Sequence, residues 1–220
     1  VSKIVAGDSI SFAITTSGGL YSWGQGTFHR LGNQALTDRL IPTLILPDHK
    51  IVSVCSGSYH SVAVTSEGKI YSWGANTNTG WNWGTVYGQL GVGASITYTS
   101  TPLLLDPING TPIEVACGAR HTLVLTKEGH VFGFGDDASY GYGPVGNGFN
   151  RYEKVPVRIG ANNPTKYSLY ETKIISIAAG QHHSMALGAQ GETYTWGANG
   201  YGQLGYQTTD LSSSLKSYKH

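Results

Sequence analysis

One block of residues occurs four times in this chain, and it limits the fold more than any single residue does. Each copy reads apolar, then Gly-x-x-(His)-Ser/Thr, or Ile in place of the histidine in the first, then a glycine turn, then aromatic-x-Trp/Phe-Gly. The anchor glycines are Gly7, Gly57, Gly118 and Gly180, so the copies follow one another at intervals of 50, 61 and 62 residues. Such spacing is in or slightly above the range of propeller blades.

Alternation inside the block reads as strand. Three residues before the anchors stand Ile4, Val54, Val115 and Ile177; after them come Phe12/Ile14, Val62/Val64, Leu123/Leu125 and Met185/Leu187 in period-two pairs. Gly18, Gly68, Gly129 and Gly191 recur at one offset, where a positive φ closes a hairpin without steric cost. Beyond them, Tyr21/Trp23, Tyr71/Trp73, Phe132/Phe134 and Tyr194/Trp196 place two aromatics on one face of a further strand. A fourth strand comes from the proline-led runs at Pro42, Pro102 and Pro156, because proline is tolerated at a strand's first residue or on an edge. Four short strands per unit and no helical crossover predict an all-β fold of radially arranged four-stranded antiparallel sheets, a β-propeller. The repeats run over residues 1–205, as approximately 1–50, 51–111, 112–173 and 174–205, leaving 206–220 as a tail or the start of a further incomplete repeat.

Tyr71-Ser72-Trp73-Gly74 and Thr195-Trp196-Gly197, followed by Gly88-Gln89-Leu90-Gly91 and Gly202-Gln203-Leu204-Gly205, resemble the repeats of the regulator of chromosome condensation family. The resemblance spans nearly the whole chain and implies a blade ring that in this family usually has seven members. Four block cores therefore leave an arc to be supplied. The chain begins at Val1, already inside a strand, and reads as part of a longer protein. Residues outside this sequence, a symmetric partner or an unusually small ring would each complete the arc, and the first is the expectation. Unclosed sheets would expose edges and an apolar flank.

Composition narrows the function. Thirty-one glycines and 12% charged residues suit a turn-dense fold, and a net charge of +1 gives no phosphate-tracking stripe, which disfavours direct nucleic-acid binding. No apolar run approaches a membrane span. Cys55 and Cys117 sit at non-equivalent positions, two and one residues before their anchors, and are expected as buried free thiols; that favours an intracellular protein, cytoplasmic or nuclear.

No catalytic, metal or cofactor motif stands out. His60, His121 and His183 recur at one offset beside Ser61, Thr122 and Ser184, and recurrence argues for an architectural histidine that bonds neighbouring backbone at its turn. Neighbours on a strand point to opposite faces, so neither a nucleophile pair nor a His182–His183 chelate is expected. Departures from the repeat are more informative. From Gly74 to Leu90 the second block takes sixteen residues where the first and fourth take seven, and the insert holds Trp81, Trp83 and Tyr87. Large aromatics on an extra loop are candidate partner-binding residues, with capping of their own blade as the other reading. In the third block Asp136, Asp137 and Tyr140 replace the usual loop. The resemblance implies that such a loop engages a Ran-type small GTPase in the exchange-factor member; a solvated turn is the plainer reading.

Two functions follow. One is a non-catalytic interaction propeller that holds a protein partner by its face loops. The other is guanine-nucleotide exchange on a small GTPase, which works by differential binding without a covalent nucleophile. The aromatic insert and near-neutral charge favour the first. Limited proteolysis should cut within residues 76–87 or 161–172 and spare the Trp-Gly strands; cleavage throughout the blocks would contradict the repeat assignment.

Overall fold

The computed structural model describes residues 1–77, 85–136, 143–148, 151–160, 169–206 and 216–218. They form four sheets of four antiparallel strands, each in simple up-and-down order. Blade 1 holds β1 (Lys3–Ala6), β2 (Ile10–Ile14), β3 (Leu20–Gly24) and β4 (Arg39–Ile45). Blade 2 holds β5 (Ile51–Ser56), β6 (His60–Thr65), β7 (Ile70–Ala75) and β8 (Tyr98–Leu104). Blade 3 holds β9 (Pro112–Cys117), β10 (His121–Thr126), β11 (Val131–Gly135) and β12 (Glu153–Arg158). Blade 4 holds β13 (Ile174–Ala179), β14 (His183–Gly188), β15 (Thr193–Gly197) and β16 (Lys216–Tyr218). This last strand lies in the tail at 206–220 and pairs with β15.

Burial tracks position in the row. In β6 and β10, on the middle blades, every residue is buried, because a neighbouring blade covers each face. In β2 and β14, on the end blades, buried positions alternate with positions that are partly exposed or more, as a sheet less covered on one face requires. Successive blades share apolar layers: Phe12, Leu20 and Leu31 of blade 1 meet Val54 and Trp73 of blade 2, and Leu123, Leu125 and Ile159 of blade 3 meet Ile177, Tyr194 and Trp196 of blade 4. Phe12 and Trp73 meet edge to face at 6.1 Å.

The anchor glycine exists for the residue three places on. A Cβ at Gly57 would fall inside the His60 ring and press the carbonyl of Gly118, and the same holds for Gly118 with His121. Gly24, Gly74, Gly135 and Gly197, ending the aromatic strands, take φ between 102° and 112°. Each also sits where a Cβ would strike the backbone that precedes the paired strand.

The cysteines are not free thiols. Cys55 and Cys117 form a disulfide between β5 and β9, with Cα atoms 5.4 Å apart. Their unequal offsets are what the geometry needs, since adjacent inner strands are staggered by one residue. The corresponding positions at the other two blade junctions carry Val5 with Ser56 and Ala116 with Ala179. Closing a 62-residue separation constrains the unfolded chain by about 4 kcal/mol in the loop-entropy picture. The intracellular placement loses the support that free thiols gave it.

Gly57→Ala should lower stability by about 3 kcal/mol in urea unfolding, because neither the His60 ring nor the Gly118 carbonyl has room to retreat. Gly200→Ala, with open space around its Cβ, should stay within about 0.5 kcal/mol. Equal effects at the two sites would contradict the packing role.

Candidate functional site

Each junction between blades centres on one main-chain carbonyl. It belongs to the residue before the Leu-Gly pair or its equivalent: Arg30, Gln89 and Pro144. Ser61, Thr122 and Ser184 of the following blade donate their hydroxyls to these carbonyls at 3.1, 3.2 and 2.7 Å. Trp73 and Trp196 add indole Nε1–H donors to the Arg30 and Pro144 carbonyls at 2.8 and 2.9 Å. The Leu-Gly turn packs beneath: a Cβ at Gly32 or Gly146 would strike the Trp73 or Trp196 ring.

The recurring histidines complete the chain of bonds, and their partner differs from the one expected. His60 Nε2 lies 2.9 Å from Thr122 Oγ1, and His121 Nε2 lies 2.9 Å from Ser184 Oγ. These are side-chain bonds across a junction, made to the next blade rather than to local backbone. Each hydroxyl spends its single proton on the carbonyl, so it accepts from the histidine, which fixes the Nε2–H tautomer. Both imidazoles are fully enclosed, and burial pushes their pKa from 6.5 down to about 3. Ile10 stands in the histidine's place in blade 1, and that junction holds through Ser61 and Trp73.

These junctions set the loops of one face, where strands β2, β6, β10 and β14 begin and β3, β7, β11 and β15 end. Near blades 1 and 2, the buried Arg30 guanidinium lies over Phe28 and Tyr59 at 5.5 and 5.3 Å, and its Nε donates to the Thr27 carbonyl. Burial lowers its pKa, while Asp8 opposes that shift. Phe28 and His29 both take left-handed backbone, at φ 61° and 58°, a conformation costly for residues with a Cβ. His29 stacks on Tyr98 at 5.2 Å. An apolar cavity of about 390 Å³ opens between Phe28, His29, Leu36, Ala75 and Tyr98. Near blades 2 and 3, Arg120 lies over Tyr87 at 5.2 Å and faces Asp136 at 3.7 Å, and Tyr87 packs on Tyr152 at 4.8 Å. Burial, then Arg120, lowers the pKa of His182 beside them, with Asp136 acting the other way.

The sequence-predicted residues thus divide. Tyr87 and Asp136 are buried, 5% and 4% exposed: Tyr87 packs across to Arg120 and Tyr152 of blade 3, and Asp136 is engaged by Arg120. Trp81, Trp83, Asp137 and Tyr140 lie outside the described residues. Sequence reasoning missed Phe28, Arg30 and Tyr98, which belong to a loop of ordinary length and a strand end; nothing in their spacing marks them. Among the described residues no group of three or more histidine, cysteine, aspartate or glutamate side chains is placed to hold a metal. No described helix is long and apolar enough to cross a membrane.

Radial four-stranded sheets joined through such junctions define a β-propeller. Models of the regulator of chromosome condensation (RCC1) repeat match residues 17–64, 81–125, 128–187 and 190–217, and, in a second form, 1–30, 51–79, 113–141 and 174–203. The chain belongs to the regulator of chromosome condensation family. It is similar to the human E3 ubiquitin-protein ligase HERC2, with 32% identity over 96% of this chain and 4% of that protein. The Ultraviolet-B receptor UVR8 of Arabidopsis thaliana is 33% identical over 93% of this chain and 43% of its own length. A crystal structure of human WBSCR16 superposes with a TM-score of 0.80 at 27% identity, over 98% of this chain and 52% of that one. Yeast RCC1 (Prp20), crystallised with Kap60, shares the fold at a TM-score of 0.75, 24% identity, 96% of this chain and 46% of the other. The chain therefore spans about half or less of the proteins it matches here.

Thr122→Val keeps the volume but strands the His60 Nε2–H and halts donation to the Gln89 carbonyl; a loss of about 2–3 kcal/mol is expected in chemical unfolding. Loss under about 0.5 kcal/mol would contradict the node. The two enclosed histidines also fix an acid dependence. Their native pKa is depressed, so the stability they contribute is complete above pH 6.5 and is lost as pH falls toward about 3, where the native state also takes the proton. Urea unfolding between pH 7 and 5 should show a decline approaching about 1.4 kcal/mol per pH unit for each of them below pH 6.5. A flat profile over that window would contradict their neutral burial.

Proposed function

We propose that this chain is part of a non-catalytic interaction propeller that holds a protein partner through the loops of the face just described. The observation that carries this reading is the Arg30 guanidinium set on the Phe28 and Tyr59 rings, with Phe28 also lining the apolar cavity at blades 1 and 2; the Asp136 carboxylate, near blades 2 and 3, is already engaged by Arg120. Aromatic and arginine residues dominate partner-binding energies. Relatives of nearly equal identity bear the names of a ubiquitin ligase and an ultraviolet-B receptor, which supports a shared frame put to different uses. The insert carrying Trp81 and Trp83 and the loop carrying Asp137 and Tyr140 belong to the same proposed surface.

The ring is closed, in this reading, by further blades outside the chain. The end blades present the two halves of one junction. Ser11 and Trp23 occupy the places of Ser61 and Trp73 but are only half-buried, whereas Ser61 and Trp73 are fully enclosed. His183 is half-buried, and a Cβ at Gly205 would meet no described atom within 4 Å, unlike Gly32 or Gly146.

Guanine-nucleotide exchange on a Ran-type GTPase is the second reading, favoured by the fold shared with Prp20p, whose structure was described together with binding to Gsp1p and histones. Release of fluorescent GDP from a panel of small GTPases separates the two. The full-length protein should not accelerate release, and Phe28→Ala with Tyr98→Ala should weaken partner capture at least tenfold while leaving the unfolding midpoint within a few degrees. Acceleration abolished by Asp136→Ala with Asp137→Ala would establish exchange instead.

A further inference from the structure

The three blade junctions are not equally tied. At the first and third, an indole donates to the central carbonyl, from Trp73 to Arg30 and from Trp196 to Pro144. At the same two, the first inner-strand residue donates its N–H to the turn glycine of the blade before, Ile51 to Gly18 at 2.8 Å and Ile174 to Gly129 at 3.1 Å. The second junction, between blades 2 and 3, has Phe134 in place of the indole and Pro112 in place of the N–H donor. Neither side chain nor backbone can make those bonds there. What remains among the described residues is Thr122 with His60 and Gln89, Ser58 N–H donating to Ala119 C=O at 3.1 Å, Gly93 N–H donating to Lys154 C=O at 2.8 Å, and Val115 N–H donating to Ser53 Oγ at 3.3 Å. This same junction carries the Cys55–Cys117 disulfide.

The disulfide is also lopsided. Cys55 is 7% exposed and packs among Val62, Val115 and Val124, while Cys117 is partly exposed and lines a polar opening with Gly57, Ser58, Gly118 and Gln181. A thiolate reaching the bond arrives at Cys117.

We propose that Cys55–Cys117 is a redox-conditional tie: a dithiol entering this opening opens the bond in the folded protein and loosens the second junction alone. The dithiol's thiolate attacks Cys117 Sγ, the Cys55–Cys117 bond breaks, and Cys55 leaves as a thiolate that takes up a proton. The second thiol then attacks the mixed disulfide, releasing Cys117 as a thiol and the reagent as its cyclic disulfide, so two electrons pass from reagent to protein. A monothiol stops at the mixed disulfide, where Cys55 is placed to attack and restore the original bond. This inference stands independently of the partner-binding reading.

The test treats the full chain with dithiothreitol or, separately, glutathione under native conditions, alkylates free thiols and counts them by mass, with hydrogen exchange followed on the same samples. Dithiothreitol should expose both cysteines without unfolding and speed exchange of the Ser58 and Val115 amides at least tenfold, with Ile51 and Ile174 unchanged; reoxidation should reverse it. Glutathione at equal thiol concentration should open far less. Cys55→Ala with Cys117→Ala should show the same local pattern without reagent. A disulfide that yields only as fast as the chain globally unfolds would overturn the proposal. So would cysteines found unbridged in the air-oxidised protein, or exchange that rises at every junction alike.

Discussion

The blade junction rests on a single buried carbonyl that must be satisfied from the neighbouring sheet. A propeller blade cannot enclose its own central strands, so the polar groups at its edge are stranded unless the next blade supplies donors. Arg30, Gln89 and Pro144 are those acceptors, and the Ser/Thr that follows each histidine position is their donor. The glycine three places before the histidine, the glycine after the leucine-like residue and the aromatic just before the glycine of the Trp-Gly pair all make room for this arrangement or shield it. The repeat motif is therefore best read as one interface cut in two, with half of it carried at each flank of a blade.

Much of this was legible from the sequence because the repeat is an internal alignment of four. Period-two apolar pairs gave the strands, and turn glycines gave the hairpins; the prolines expected at the head of the outer strands lie inside them instead, Pro42 in β4, Pro102 in β8 and Pro156 in β12, and are tolerated because these are edge strands. What the pattern could not show was which residues meet across blades. The histidine's partner lies 62 residues away in sequence, so local reasoning assigned it to its own turn. Cys55 and Cys117 failed the test of equivalent positions for the same reason: pairing across blades follows stagger, and stagger is a three-dimensional quantity.

The face showed a different division. Tyr87 drew notice as an aromatic in an insert, yet it is spent on packing between Tyr152 and Arg120. The cluster of Phe28, Arg30 and Tyr98 drew none, because a left-handed pair of residues in a loop of ordinary length has no compositional mark. Such strain is tolerated because Arg30 is pinned twice, by its carbonyl at the junction and by its guanidinium between two rings. Fold and recognition surface are thus built from the same residue, which ties the geometry of the face to the integrity of the first junction.

The most direct test of the junction as the organising interaction is nitrogen-15 NMR of the imidazole rings of His60 and His121. Neutral rings protonated at Nε2, with Nδ1 shifts of an unprotonated nitrogen that persist unchanged from pH 7 to pH 5, are the result this structure requires. Rings protonated at Nδ1, or titration to imidazolium near pH 6.5, would show that the hydroxyls of Thr122 and Ser184 do not accept from them and that the blades are held together in another way.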